Sequence, residues 1–307
     1  MRAALDVGTN SVRLLVAEST AQGLRPVRRA MRIVRLGEGV DAAGRLNAQA
    51  VERTLQALEE LKNLIPPGVP VAAFATSAVR DAKNGQEFAR LVEERLGFPL
   101  EILSGEREAE LSFAGAVWSL RELKLPEPIT VVDVGGGSTE IYTGLGTGEL
   151  LGGGSSQVGA VRMLERFITA HPLLSSEQLA MEAEIRRLLA PLAERSRALG
   201  PRSLVAVGGT ATSLAAILQK LAEYSDEKVT GYAFSLEDLG RIYGQLGRLS
   251  LEERRQIPAL QAGREDVIVC GAAILVQAAE LLGFRKLYTS AWDLLYARLA
   301  LSVDGGC

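Results

Sequence analysis

The string Asp-Val-Gly-x-x-Ser occurs twice in this chain, at residues 6–11 and again at residues 133–138. Each copy follows an apolar run, Ala3-Ala4-Leu5 in the first case and residues 129–132 of the expected strand 129–134 in the second. Each also opens a second strand, and in the first copy Val12, Leu14 and Val16 alternate with the period of a half-buried strand. Two hairpins of the same design, each at the head of a domain-sized stretch, point to an internal duplication of an α/β unit. The length of 307 residues suits two such units, each able to bury its own core.

The pattern between the two copies supports this. Residues 47–64 carry Val51, Leu55, Leu58, Leu61 and Leu64 at helical spacing, and Pro66-Pro67-Gly68 ends the run. A strand at 71–75, a helix at about 85–96 and a short strand at 100–103 follow, then a helix whose N-cap is expected at Ser104. Two prolines in the charged stretch 124–128 mark an expected crossing between domains, giving 1–123 and 124–291. The second half should hold long helices at 175–199 and 264–282, strands at 203–207 and 286–288, and a closing helix after Trp292 that returns to the first domain. The segment 37–42 matches a dinucleotide-type glycine pattern literally, but Ala43-Gly44-Arg45 follow it, and a loop is expected there.

Composition excludes several functions. With 47% hydrophobic residues, 23% charged residues and a net charge of -3, the chain is an ordinary globular protein that does not advertise a nucleic-acid or membrane partner. Arg28, Arg29, Arg32 and Arg35 form a local basic run, with only Arg28 and Arg32 on one face if the segment is a strand. Cys270 and Cys307 lack metal-type spacing, so neither a disulfide framework nor a zinc site is expected, and a reducing cytoplasm fits. The start of the chain leaves no room for a signal-type run, and the apolar stretch 267–284 contains Gln277 and Glu280, as a buried core helix would.

His171 is the single histidine, which rules out a two-histidine metal site, and no P-loop string is present. Acid–base work therefore falls to carboxylates and phosphate handling to glycine turns. In Gly8-Thr9-Asn10-Ser11 and in Gly135-Gly136-Gly137-Ser138, glycine lets consecutive N–H groups point one way and cradle an anion, with hydroxyls adding donors. Asp6 and Asp133 could hold Mg2+ through its waters. A third turn, Gly208-Gly209-Thr210, precedes a helix and could seat phosphate or a purine ribose on its amides. Glu106 and Glu108 fall in a first helical turn, where acidic residues complement the dipole, and residue chemistry alone does not single out either.

Taken in order, the motifs at 6–11, 75–84 (Ala-Thr-Ser-Ala-Val-Arg-Asp-Ala-Lys-Asn), 103–109 (Leu-Ser-Gly-Glu-Arg-Glu-Ala), 133–140 and 208–210 resemble the exopolyphosphatase and guanosine pentaphosphate phosphohydrolase family. That family belongs to the superfamily of acetate and sugar kinases, heat-shock chaperones and actin. The resemblance implies an α/β fold of two actin-like (ribonuclease H-like) domains with an active-site cleft between them. It implies that Glu108 is the catalytic carboxylate, that Asp133 and Glu140 serve the metal and the active site, that the two glycine turns bind phosphate, and that Arg80 contacts phosphate. Polyphosphate or guanosine pentaphosphate would be the substrate and Mg2+ the cofactor, with a homodimer left open. The chain looks like the short form of the family. It departs from the family where an Arg-Glu-Gly run would stand, reading Ala291-Trp292-Asp293-Leu294-Leu295-Tyr296-Ala297. A superfamily kinase and a non-catalytic polyanion sensor are the rival readings.

Overall fold

The computed structural model describes residues 1–20 and 23–304, with side chains through residue 300. In the first half, β1 (Arg2–Val7), β2 (Ser11–Thr20) and β3 (Gly23–Ile33) form an antiparallel meander. A one-turn helix α1 (Val40–Ala43) and α2 (Ala48–Lys62) lead to β4 (Val71–Ala75), which pairs parallel with β1. Then α3 (Ser77–Asp81) and α4 (Gly85–Leu96) precede β5 (Leu100–Ile102), parallel to β4, and α5 (Gly105–Ser119). The sheet order is β3-β2-β1-β4-β5.

The second half repeats this plan. Strands β6 (Ile129–Val134), β7 (Thr139–Gly144) and β8 (Leu150–Ser156) form an antiparallel meander, followed by α6 (Ala160–Phe167) and α7 (Ser175–Ala198). Next come β9 (Ser203–Val207), parallel to β6, then α8 (Gly208–Leu218) and α9 (Asp226–Val229). The remaining elements are β10 (Ala233–Ser235), α10 (Leu236–Gly247), α11 (Leu251–Arg255), α12 (Ile268–Leu282), β11 (Lys286–Thr289) and α13 (Leu294–Asp304). β11 lies parallel to β9, so β8-β7-β6-β9-β11 reproduces the order and sense of the first sheet, with β10 added antiparallel at the edge. Three antiparallel strands followed by two parallel ones, twice over, is the ribonuclease H-like plan of an actin-like chain.

The two compact units are Met1–Leu111 with the chain from Leu294 onward, and Ser112–Asp293. The chain leaves the first unit within α5, whereas the sequence places the crossing at the prolines of 124–128. Proline disfavours helix at the residue before it, and a loop inside one unit meets that demand as well as a linker does. In the first unit α2 presents Leu55, Leu58 and Leu61 to the core, capped by Asn47, whose Oδ1 accepts the Ala50 N–H at 2.7 Å. α13 packs on β1, β2 and β3 of the same unit. In the second unit α12 is buried along nearly its whole length against α7 and α10. Among the described residues no helix is long and apolar enough to cross a membrane.

Local expectations are refined in three places. The segment expected as a loop at 37–42 contains α1, a single turn bracketed by left-handed Gly39 (φ 73°) and Gly44 (φ 63°). α12 starts at Ile268 and not at 264, because 261–264 is a turn closed by Arg264 N–H to the Gln261 carbonyl. The glycine-rich β8 and the three-residue β10 had no strand signal in the sequence. Cys270 is buried and free, and Cys307 lies outside the described residues.

Candidate active site

The duplicated turns close in the same way. The Gly8 N–H donates to the Ser11 carbonyl at 3.0 Å, and the Gly135 N–H donates to the Ser138 carbonyl at 3.0 Å. A Cβ on either glycine would stand 3.1 Å from that same carbonyl oxygen, which is why both positions suit glycine. Register agrees as well: Asp6 faces Arg13 and Val7 faces Val12, as Asp133 faces Glu140 and Val134 faces Thr139.

What aims the turn amides is the chain that follows the third strand of each meander. In the second unit the N–H groups at the start of α6 reach back to the turn: Ala160 to the Gly135 carbonyl at 2.9 Å, and Val161 and Arg162 to the Gly136 carbonyl at 2.9 and 3.2 Å. The Arg162 Nε takes the Gly137 carbonyl at 2.9 Å. Across a planar trans peptide the carbonyl and the next N–H point in opposite directions. The N–H groups of Gly136, Gly137 and Ser138 are therefore directed away from α6, side by side as the donors of an anion nest would be. In the first unit the segment after β3 does the same work. Gly37 N–H bonds the Thr9 carbonyl, and Val34 and Arg35 N–H bond the Asn10 carbonyl, each at 2.9 Å, which turns the Asn10 and Ser11 N–H groups the other way. Arg35 adopts the left-handed region to do so (φ 51°). Gly37 packs so closely that a Cβ would overlap the Thr9 methyl group. Among the described residues, neither polar atom of the Asn10 side-chain amide, both buried, has a hydrogen-bond partner.

In the first unit, Arg80 and Glu108 are joined. The Arg80 Nη1 donates to the Glu108 Oε2 at 2.6 Å and to the Leu103 carbonyl at 3.3 Å, with both side chains largely buried. Glu108 stands in the first turn of α5, and Ser104 caps that helix by accepting the Arg107 N–H at 3.1 Å. The buried Asp6 accepts from the Arg13 Nε at 2.9 Å and Nη2 at 2.5 Å, both at Oδ2.

In the second unit, Asp133 accepts from the Ser112 hydroxyl and Glu140 from the Ser155 hydroxyl, each at 2.7 Å. Gly208 begins α8 with φ +84°, and a Cβ there would lie 2.7 Å from the Asp133 Oδ1, so the third turn abuts this carboxylate. The Arg264 guanidinium lies where a Cβ on Gly209 would project. The Thr210 side chain is turned against Gly271 of α12, which leaves any ligand contact to its backbone amide.

Arg13, Ser112, Ser155, Arg162 and Arg264 were not found from the sequence. Each acts through a partner distant in sequence or on a neighbouring strand, and only the cross-strand register could have suggested Arg13. No cluster of three or more His, Cys, Asp or Glu side chains is gathered for a metal among the described residues. The facing pair Asp133 and Glu140 nevertheless fits Mg2+, which keeps most of its waters and takes one or two carboxylates.

His171 takes no part in this chemistry. Its Nδ1 accepts from the Nη1 of the fully buried Arg254 at 3.1 Å, which puts the ring proton on Nε2. Burial, and then the Arg254 cation, pull its pKa below the usual histidine value. Burial pushes the Cys270 thiol up to about 12, so it stays protonated.

Two actin-like units, each with a phosphate-type nest beside a carboxylate, define the class. The chain belongs to the Ppx/GppA phosphatase family, which it matches over residues 15–295. It is 36% identical to Exopolyphosphatase 2 of Mycobacterium tuberculosis, over 99% of this chain and 98% of that protein. Among solved structures, an exopolyphosphatase from Cytophaga hutchinsonii superposes with a TM-score of 0.90 at 26% identity, covering 99% of this chain and 98% of the other. The Aquifex aeolicus member of the Ppx/GppA family superposes with a TM-score of 0.81 at 30% identity, covering 98% and 96%.

Proposed function

We propose that this chain hydrolyses phosphoanhydride bonds, releasing the terminal phosphate of inorganic polyphosphate. The observation that carries the reading is the pair of nests, each with its amides aimed by the chain after the third strand. Polyphosphate is preferred to guanosine pentaphosphate because the curated relative matched over its full length is called an exopolyphosphatase.

In this reading the nest amides and Arg80 hold the phosphoryl oxygens, whose charge they offset without reorganising. Glu108 orients and deprotonates the attacking water, and its bond to Arg80 keeps the carboxylate in place. Arg80 has five N–H donors in a fork, so one guanidinium can serve Glu108 and a phosphate together. Asp133 and Glu140 would hold Mg2+, held in turn by Ser112 and Ser155. A bound divalent ion neutralises charge on the transferring group. A cytoplasmic setting belongs to the same reading.

The test is phosphate release from polyphosphate of defined length, guanosine pentaphosphate and ATP, each with Mg2+ and with excess chelator. The reading expects polyphosphate to turn over fastest and only with the ion. Turnover of ATP only when an alcohol or carboxylate acceptor is added, or of none of the three, would overturn it in favour of a kinase or a sensor.

A further inference from the structure

The two turns agree in sequence, closure and register, and differ in what holds the carbonyl just before the serine amide. In the first copy the Asn10 carbonyl accepts two backbone N–H groups, from Val34 and Arg35, each at 2.9 Å. In the second, among the described residues, no backbone N–H reaches the corresponding Gly137 carbonyl, and the Arg162 Nε takes it at 2.9 Å. We infer that Arg162 is a positioning residue whose Nε holds the Gly137–Ser138 peptide with its N–H toward the substrate phosphate, a task that the first copy gives to backbone. This rests on the phosphohydrolase reading above and deepens it by naming what sets the second turn.

The residue types sharpen the contrast. Position 10 is asparagine, whose Cβ restrains ψ, and position 137 is glycine, which leaves the peptide after it freer to rotate. Rotation of that peptide would bring a carbonyl oxygen to the anion side in place of an N–H, and attraction would become repulsion. The second turn therefore needs a hold that the first does not.

Arg162 is built to supply it. It stands in the first turn of α6, and its own N–H bonds the Gly136 carbonyl at 3.2 Å, so one residue grips two successive carbonyls of the turn. Its Nη2 donates to the Gln157 Oε1 at 2.6 Å, which fixes the plane of the guanidinium. A cation in a first helical turn opposes the macrodipole, which favours anions there, so helix stability does not account for its presence. A guanidinium–carbonyl bond is charge-assisted and planar, and it sets direction as well as contact. Lysine would reproduce it only in part, because its nitrogen lies a bond further along the side chain and carries no planar fork.

Amide NMR tests this, with tripolyphosphate as the probe and excess chelator to prevent turnover. In the wild-type protein the Ser11 and Ser138 amide signals should both move downfield as the anion is added. In Arg162→Met the Ser138 response should fall by about half or more with the Ser11 response kept, and kcat/KM for short polyphosphate should drop about tenfold. Arg162→Lys should recover only part of each loss. A full Ser138 response in Arg162→Met would overturn the inference, and a fall in kcat/KM beside it would mean that Arg162 meets the phosphate itself. Equal losses at Ser11 and Ser138 would also count against it, since Arg162 holds the second turn alone. If Arg162→Met does not fold, Arg162→Lys decides, and a full Ser138 response there sinks the role of Nε. A wild-type protein that responds at Ser11 and not at Ser138 would refute this inference and leave the proposed function standing. Silence at both serines would remove the phosphate reading of the two turns and this inference with it.

Discussion

The Arg80 Nη1 stands 2.6 Å from Glu108 Oε2, so the carboxylate proposed as base is also half of an ion pair. In Glu108→Gln the amide oxygen still accepts from Arg80 but cannot take a proton from water. Turnover should fall at least about a hundredfold with folding intact, measured as phosphate release alongside thermal unfolding. Loss of activity in Glu106→Gln and not in Glu108→Gln would move the assignment two residues back in the first turn of α5. Gly208 offers a second residue-scale test. Its φ of +84° strains any side chain, and a Cβ there would crowd the Asp133 Oδ1 at 2.7 Å. Gly208→Ala should lose about 1–3 kcal/mol of stability by urea unfolding. A neutral result would mean that the start of α8 relaxes freely.

The elements that aim the turns can be tested in the same way. Gly159 precedes α6 in extended backbone, and a Cβ there would overlap the Gly136–Gly137 backbone. Gly159→Ala should push α6 off the turn, costing about 1–3 kcal/mol and raising KM more than it lowers kcat, as steady-state kinetics would show. The corner between α6 and α11 is a separate matter of pH. His171 has a folded pKa depressed by burial and by Arg254, with Asp266 and Glu177 acting in the opposite sense. Below about pH 6.5 the unfolded chain therefore binds more protons than the folded one. The stability from this site is present above that pH and is lost as pH falls through the folded pKa. Urea midpoints taken from pH 7.5 down to 5 should fall, and His171→Gln should flatten that slope. These elements also mark what the sequence could convey. α2, β4, α4, β6 and β9 follow its periodicity closely, because local apolar spacing and caps decide them. The nests were visible as repeated glycine turns. The chain that aims them was not, because its N–H groups bond backbone carbonyls, which carry no residue signature. Arg13 and the burial of Arg254 stayed hidden for a related reason: cross-strand register and tertiary packing fix them.

At the scale of the whole molecule the question is how long a polyanion the chain can grip. The net charge is -3, and three of the four arginines in the basic run, Arg28, Arg29 and Arg32, meet local partners. On β3, Arg25 pairs with Glu18 at 2.5 Å and Arg32 with Glu60 at 2.8 Å, and Arg28 donates to the Leu64 carbonyl. Arg29 lies over the Tyr296 ring of α13, 5.2 Å from its centroid. This matches the expectation that Arg28 and Arg32 share a face without Arg29, and it makes β3 a charge-protected edge and not a polyphosphate track. Grip on a long linear polyanion comes from many cationic contacts and the counterions they release, so it steepens with salt in proportion to their number. With Arg80 as the side-chain cation proposed to meet phosphate, log(1/KM) should fall against log[salt] with a slope of roughly -0.7 to -0.9, by analogy with nucleic acids. Few contacts also mean release after each cut. Short chains should therefore be cleaved at least as well as long ones, and long chains should give a descending ladder of intermediates on a gel. A slope several times steeper, with only full-length and very short chains visible under substrate excess, would show a basic track that this chain does not build from β3.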